Sequence, residues 1–375
     1  MKKKAIVAGH LCVDITPAFP ENNGKKKTSE ILKPGKLVDV GDATISTGGA
    51  VANTGLAMKV LGADVALMGK VGKDAFGDII YNIAKGYDAA EGMIIDESVS
   101  TSYTIAIAIP GNDRIFLHNP GANHTFKMDD IKMDVVNESA LFHFGYPPLM
   151  RSMYENEGAE LIKIMKTVKE SGVATSLDMA AVDEASDAGK VDWGKLVAEV
   201  LPYVDFFVPS VEELCYMIDK ERFNEWQERA GDGDITEVLD IEKDVRPLAE
   251  KCMELGAKVL LIKCGAPGLY YRTASTDVLK KVSDRVELNV EEWADKEGFE
   301  KSYVPEKVRS GTGAGDTCIA AFLTAMLEGY SVEDCMHLAA GTGASCVEAY
   351  DALSGLRSFD ELKEKIQAGW KKHGE

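Results

Sequence analysis

The residues with the strongest chemical implication are Ser310-Gly311-Thr312-Gly313-Ala314-Gly315-Asp316-Thr317. They lie between an extended stretch, Ser302 to Val308, and a run of helical composition, Cys318 to Glu328, closed by Gly329. Small residues at a helix start leave backbone N–H groups open to a guest that must come close. The helix dipole favours an anion there, above all a phosphate. Ser310 or Thr312 is expected to cap the helix, and Gly329 to end it. Asp316 falls in the first turn with its carboxylate aimed at the same place. A carboxylate is a poor partner for a bound anion, but it can accept the proton of an alcohol that attacks a phosphate. Without context the string is equally a glycine-rich turn with an Asp at a helix start. It is not a GxGxxG, because Asp316 stands where the last glycine would be, and no GxxxxGK[ST] occurs in the chain.

Four further groups of residues invite a chemical reading. The apolar, β-branched run Lys4 to Val13 ends at Asp14. Open α/β sheets bind ligands at such carboxyl ends, although a turn Asp is the plainer alternative. In Thr47-Gly48-Gly49-Ala50-Val51-Ala52-Asn53 two glycines lead into a helix of small residues, so either a ligand or a tightly packed backbone must approach. Pro209-Ser210-Val211-Glu212-Glu213 follows a buried strand and spells a capping box between Ser210 and Glu213. The strand Val259 to Ile262 turns directly into Lys263-Cys264-Gly265-Ala266-Pro267-Gly268, where a lysine could neutralise phosphate charge or simply sit at a loop edge.

The elements that must position these residues alternate. Strands are expected at Val65–Val71, Ala140–Gly145, Ala174–Asp178 and Asp205–Val208, with helices at Leu56–Leu61, Asp78–Lys85, Gly158–Ser171 and Trp193–Leu201 between them. Val332–Ala349 and Phe359–Lys371 read as the last helices. Strands separated by helices imply a mostly parallel sheet with helices on both faces. Thr101–Pro110 and Arg114–His118 read as a hairpin around Gly111-Asn112-Asp113. Thr16 to Gly41 is polar, lysine-rich and broken by prolines, with short strands expected at Ile31-Leu32 and Lys36–Val40 before a return at Ala43–Ile45. The polar segments Asp219–Val245 and Asp277–Glu300 read as surface insertions.

The 375 residues are 45% hydrophobic and 27% charged, enough for a sizeable core. A net charge of −19 argues against nonspecific binding to nucleic acid or an anionic membrane, so any anionic cofactor must find local positive groups. The seven cysteines are scattered without a CxxC, as expected of reduced thiols in a cytoplasmic protein. The start Met1-Lys2-Lys3-Lys4 begins like a signal peptide, but His10 and Asp14 interrupt a short apolar run, so a first strand is expected. No stretch is long enough to span a membrane.

Taken together, two of these motifs resemble the paired signatures of the PfkB, or ribokinase-like, carbohydrate kinases. Gly48-Gly49 with Asn53, followed by Leu56-Ala57, Leu61-Gly62 and Gly69-Lys70-Val71-Gly72-Lys73-Asp74, is similar to the first. Gly313-Ala314-Gly315-Asp316 before a small-residue helix is similar to the second, DTxGAGD, except that Ser310-Gly311 replaces the leading Asp-Thr. The resemblance covers about Lys3 to Ile366. It implies one ribokinase-like α/β domain over residues 1–375, a three-layer sandwich with a small β lid from 15–47 and 98–118. The implied activity is transfer of the ATP γ-phosphoryl group to a hydroxyl of a sugar or polyol, with magnesium. In that reading Asp316 is the catalytic base and Gly313, Ala314 and Gly315 form an anion hole. Asp14, Gly48, Gly49 and Asn53 hold the acceptor. Lys263, Gly265, Gly268, Ser210 and Thr312 border the nucleotide, and Glu213 organises magnesium through water. Cys12 departs from the asparagine that ribokinase-like members often carry there, which leaves the sugar open. Ser310 removes a carboxylate from the monovalent-cation site of many relatives, so weak or absent potassium activation is expected. Asn119-Pro120-Gly121-Ala122-Asn123 also resembles a family pattern. The resemblance further admits a homodimer through the lid, a nucleoside kinase of the same fold, or an inactive sugar-binding regulator.

Overall fold

Apolar runs too continuous to face water on either side build the spine of the molecule. The computed structural model describes residues 2–20, 27–110 and 115–375. Its strands are β1 (Lys4–Gly9), β2 (Cys12–Pro17), β3 (Ala43–Gly48), β4 (Asp64–Met68), β5 (Lys70–Gly72), β6 (Ile94–Asp96) and β7 (Tyr103–Ile107). They continue with β8 (Ile115–Asn119), β9 (Leu141–Gly145), β10 (Ala174–Leu177), β11 (Phe206–Phe207), β12 (Val259–Lys263), β13 (Gly268–Thr273) and β14 (Glu297–Lys301). Eight of them form one sheet in the order β14-β13-β12-β11-β10-β9-β1-β4. From β12 to β4 every pairing is parallel, while β13 and β14 add an antiparallel edge.

Both faces of this sheet are covered. The helices of eight or more residues are α1 (Ala50–Val60), α2 (Ala75–Gly86), α3 (Ala159–Glu170), α4 (Trp193–Val200) and α5 (Val211–Ile218). After them come α6 (Lys220–Ala230), α7 (Arg246–Glu254), α8 (Ala314–Leu327), α9 (Val332–Cys346) and α10 (Phe359–Gln367). Alternate strand residues feed two cores. Val7, Leu141 and Leu261 pack with Leu56 of α1, Phe322 of α8 and Leu338 of α9. Ile6, Phe142 and Ile262 pack on the other side with Ile164 of α3, Leu196 of α4 and Leu214 of α5. This is the double-sided burial that parallel sheets need.

A second sheet, in the order β3-β2-β7-β8, grows directly from the first, because only His10 and Leu11 separate β1 from β2. β2 pairs antiparallel with β3 and parallel with β7, and β7 pairs antiparallel with β8. The expected hairpin is present in these last two strands, while its turn at Gly111-Asn112-Asp113 lies outside the described residues.

Several local expectations fail for identifiable reasons. Ile31 ends a single helical turn, Thr28–Ile31, and Lys36–Val40 joins no strand. Leu37 there is 88% exposed, so its apolar side chain never meets a sheet. Asp219–Val245 is more than a surface insertion, because α6 buries Trp226 completely and its indole N–H donates to Asp244 at 3.2 Å. Ser302–Val308 contributes only an isolated bridge between Tyr303 and Lys372. The extended pairing falls instead on β14, within the segment from Asp277, which also buries Trp293. Among the described residues no helix is long and apolar enough to cross a membrane.

Candidate active site

The carboxyl ends of five neighbouring strands and the starts of two helices meet at one edge of the parallel sheet. β1 delivers His10, β9 delivers Tyr146, β10 delivers Asp178, β11 leads to Ser210 and Glu213, and β12 ends at Lys263. α1 and α8 begin on the same side, bringing Gly49 to Asn53 and Gly313 to Asp316. Ligand sites in open α/β sheets form at this end.

Asp316 is the centre of the arrangement. Its side chain is buried and accepts hydrogen bonds from Asn53 Nδ2 at 3.0 Å and from the Tyr146 hydroxyl at 2.9 and 3.0 Å. The Thr54 hydroxyl lies 3.5 Å away. Burial raises the carboxyl above its ordinary range, against the opposing pull of Lys263, Asn53 and Tyr146. Tyr146 sits in the left-handed region at φ 65° immediately before Pro147, which turns its ring back from the strand end toward Asp316.

No side chain caps α8, whose N-cap is Gly313 at φ 78°. The expected cap from Ser310 or Thr312 is therefore absent, because the Ser310 hydroxyl turns back to accept the Thr312 N–H at 3.1 Å. A Cβ at position 313 would come within 2.4 Å of the Ala352 Cβ, so glycine is required there on two counts. The Ala314 N–H reaches Gly311 O at a long 3.3 Å. The first helical amides thus face the site with the dipole behind them.

Beneath this helix start lies a buried ion pair. Lys263 Nζ donates to Asp178 Oδ1 at 2.7 Å, and a Cβ built on Gly315 would stand 3.7 Å from the same ammonium. Burial pushes Asp178 up to about 8 despite Lys263, and among the described residues its Oδ2 has no partner. Burial opposes the charge on Lys263, but Asp178, Glu213 and Asp316 hold its pKa above the ordinary value. Ser210, just before α5, forms an isolated parallel bridge with Lys263. The Glu213 carboxylate accepts the Ser210 N–H at 3.1 Å, as the capping pattern requires.

At the other end of the site Asp14 lies against Gly48, where a Cβ would overlap the Asp14 carboxylate at 2.1 Å. Cys12 Sγ donates to Asp14 Oδ1 at 3.4 Å, and burial raises the Asp14 carboxyl. Gly265 and Gly268 form the turn between β12 and β13, closed by the Cys264 N–H on Gly268 O at 2.8 Å.

The sequence matches the profile of the family described as pfkB family carbohydrate kinase over residues 7–358. The chain belongs to the pfkB family of carbohydrate kinases. Among relatives of this pfkB kinase, an uncharacterized sugar kinase of Archaeoglobus fulgidus is 26% identical over 302 residues, covering 80% of this chain and 98% of the relative. A 5-dehydro-2-deoxygluconokinase of Clostridium perfringens is 24% identical over 335 residues, covering 88% and 86%. The structure of Arabidopsis thaliana ribokinase complexed with ribose and ATP aligns with a TM-score of 0.70 at 21% identity, over 98% of this chain and 99% of that one. The fold of this pfkB kinase is therefore ribokinase-like, and its enzyme class is the ATP-dependent carbohydrate kinases.

The structure brings together Asp14, Gly48, Gly49, Asn53, Ser210, Glu213, Lys263 and the Gly313–Asp316 run, all singled out in the sequence, and adds three neighbouring side chains that were not. Asp178 ends a buried parallel strand, the same signal that pointed to Asp14. Tyr146 is marked only by Gly-Tyr-Pro-Pro after a strand. His10 carries no pattern at all.

Proposed function

We propose that the chain transfers the γ-phosphoryl group of ATP to a hydroxyl of a sugar or sugar-like polyol, with Asp316 as the general base. The observation that carries this reading is a buried carboxylate at an uncapped helix start, oriented by Asn53, Thr54 and Tyr146. The acceptor lies along Asp14, Gly48 and Gly49, with its reactive hydroxyl against Asp316. The proton of that hydroxyl passes to the Asp316 carboxylate as its oxygen bonds to phosphorus and the bond to ADP breaks. The amides of Gly313, Ala314 and Gly315 meet the charge that grows on the transferred group, supported by Lys263. Asn53 in this reading orients the base as much as it touches the acceptor.

Magnesium fits the donor set in a limited way. Among the described residues no group of three or more His, Cys, Asp or Glu is arranged to hold a metal ion. Nucleotide-bound magnesium needs only one or two carboxylates, and Glu213 with the unpartnered oxygen of Asp178 supplies hard oxygens of that kind. When bound, the ion neutralises phosphate charge. Thr312, Ser210, Gly265 and Gly268 border the nucleotide side in the same proposal.

The four-stranded sheet serves as a lid that keeps water from the acceptor hydroxyl. Its strand β8 leaves Ile115, Phe116 and Leu117 between 40% and 59% exposed, a surface suited to pairing two copies of the chain. Sedimentation of the purified protein is expected to give a dimer that Phe116→Lys converts to monomer. A monomeric wild type would refute the pairing. All seven cysteines are buried and unpaired, which suits a reducing cytoplasm.

The decisive experiment is ADP release by the purified protein across a panel of sugars and polyols, with phosphorylated product identified by mass. Acceptor-dependent turnover is expected, and its absence across the panel would reject the kinase reading. The same assay addresses the departure at Ser310. Arg309 lies over the Tyr350 ring at 5.5 Å, whereas the Lys263 ammonium stands 3.7 Å from a Cβ built on Gly315, which supports Lys263 as the fixed cation beside the anion hole. Replacing potassium with a bulky organic cation at constant ionic strength should change turnover by less than about threefold. A drop of about tenfold or more would restore the exchangeable ion to the site.

A further inference from the structure

His10 is held firmly by the hydrogen bonds of its backbone. Its N–H donates to Gly145 O at 3.1 Å and its carbonyl accepts the Val51 N–H at 3.1 Å. Asn123 clamps the next residue, accepting the Leu11 N–H at 3.1 Å and donating to Leu11 O at 3.0 Å. The His10 side chain is 3% exposed, yet among the described residues neither Nδ1 nor Nε2 has a hydrogen-bond partner. A buried polar group without a partner is costly, so such a residue asks for a partner from outside the protein.

The surroundings say where that partner sits. The His10 ring lies 5.5 Å from the His118 ring on β8 and 6.3 Å from the Tyr146 ring whose hydroxyl holds Asp316. Its Nδ1 abuts Gly49, where a Cβ would come within 2.6 Å, and the adjacent Gly48 touches the Asp14 carboxylate. The imidazole therefore stands between the second sheet, the Asp14 corner and the group that orients the base. Burial keeps His10 uncharged, lowering it to about 3 with help from His118 and His124, and burial lowers His118 as well. A neutral imidazole offers one donor and one acceptor, which matches a hydroxyl. It offers no charge to a carboxylate or phosphate, and Asp14 would repel either one.

We infer that His10 binds a hydroxyl of the acceptor, and that the acceptor is an uncharged polyhydroxy compound rather than a sugar acid or sugar phosphate. The inference rests on the kinase reading above and names the substrate class of that same site.

The test uses the full-length protein with uncharged aldoses, ketoses and cyclitols beside the matching aldonic acids and sugar monophosphates. An uncharged acceptor should give the highest kcat/KM. His10→Ala should raise its KM about 10–100-fold and leave the KM for ATP within about twofold. His10→Asn and His10→Gln each return a donor and acceptor near one ring nitrogen, and one of them should recover part of the loss. A merely structural role would instead lower the melting temperature, move both KM values together and show no rescue. A preferred acid or phosphate, or an acceptor KM unchanged in His10→Ala, would overturn the inference while leaving the kinase standing. Absence of any acceptor-stimulated turnover, together with no acceptor-induced rise in melting temperature of the wild type, would overturn both.

Discussion

Asp316→Asn is expected to lower turnover about 10²–10⁴-fold while ATP and the acceptor still bind. The exchange keeps size and shape but leaves no group able to take the acceptor proton. It also sets an amide against two donors, the Asn53 amide and the Tyr146 hydroxyl, so one of the hydrogen bonds at 3.0 Å must reorganise. That local cost is offset by the removal of a carboxylate whose ionisation burial already disfavours. Melting curves should therefore stay close to wild type while turnover collapses. Retention of more than about half of wild-type turnover would remove Asp316 from the role of base. Wild-type turnover also has a predictable acid limb. The base works only when ionised and burial raises its pKa, so kcat/KM should fall at a higher pH than an exposed aspartate would give.

Lys263→Met should damage folding and chemistry by separable routes. Removal of the ammonium leaves Asp178 completely buried and 2.7 Å from its lost partner, at a cost that reaches about 3–5 kcal/mol only above about pH 8, where the carboxyl is ionised, and is smaller at neutral pH. Asp178 answers by holding its proton to still higher pH. Lys263→Met combined with Asp178→Asn removes both charges and should regain most of the lost stability. Turnover should not follow, because the cation beside Gly315 is gone in both variants. The acid limb of kcat/KM should also move upward, since Lys263 is the leading influence that lowers the Asp316 pKa. Full recovery of turnover in the double variant would make the pair structural only.

How much was legible from sequence depended on whether a residue's role is local. Gly48-Gly49 and Gly313-Ala314-Gly315-Asp316 announce themselves, because a helix start and its anion-facing amides lie within a few consecutive residues. The buried strands β9, β10 and β12 are equally local and fall within a residue of expectation, whereas Lys4 to Val13, expected as one strand ending at Asp14, divides into β1 and β2, which join different sheets and leave Asp14 inside β2. Tyr146 and His10 gain their meaning from what a different strand brings beside them, which no spacing records. Lys36–Val40 is apolar enough for a strand, but a strand exists only where a ladder partner does, and none arrives among the described residues. Trp226 failed in the opposite direction. A helix with one fully buried side chain in a charged run has no period to detect, yet that indole anchors it.

Asp316 depends on partners far behind it in the chain, since Asn53 is 263 positions earlier and Tyr146 is 170. Synthesis proceeds from the amino end, so the acceptor corner and every parallel strand of the large sheet precede the base on the growing polypeptide. The side chains proposed to face the acceptor are therefore made before the proposed base. With Asp316 as the proposed base, the group that would activate a hydroxyl is made only with the final sixth of the molecule.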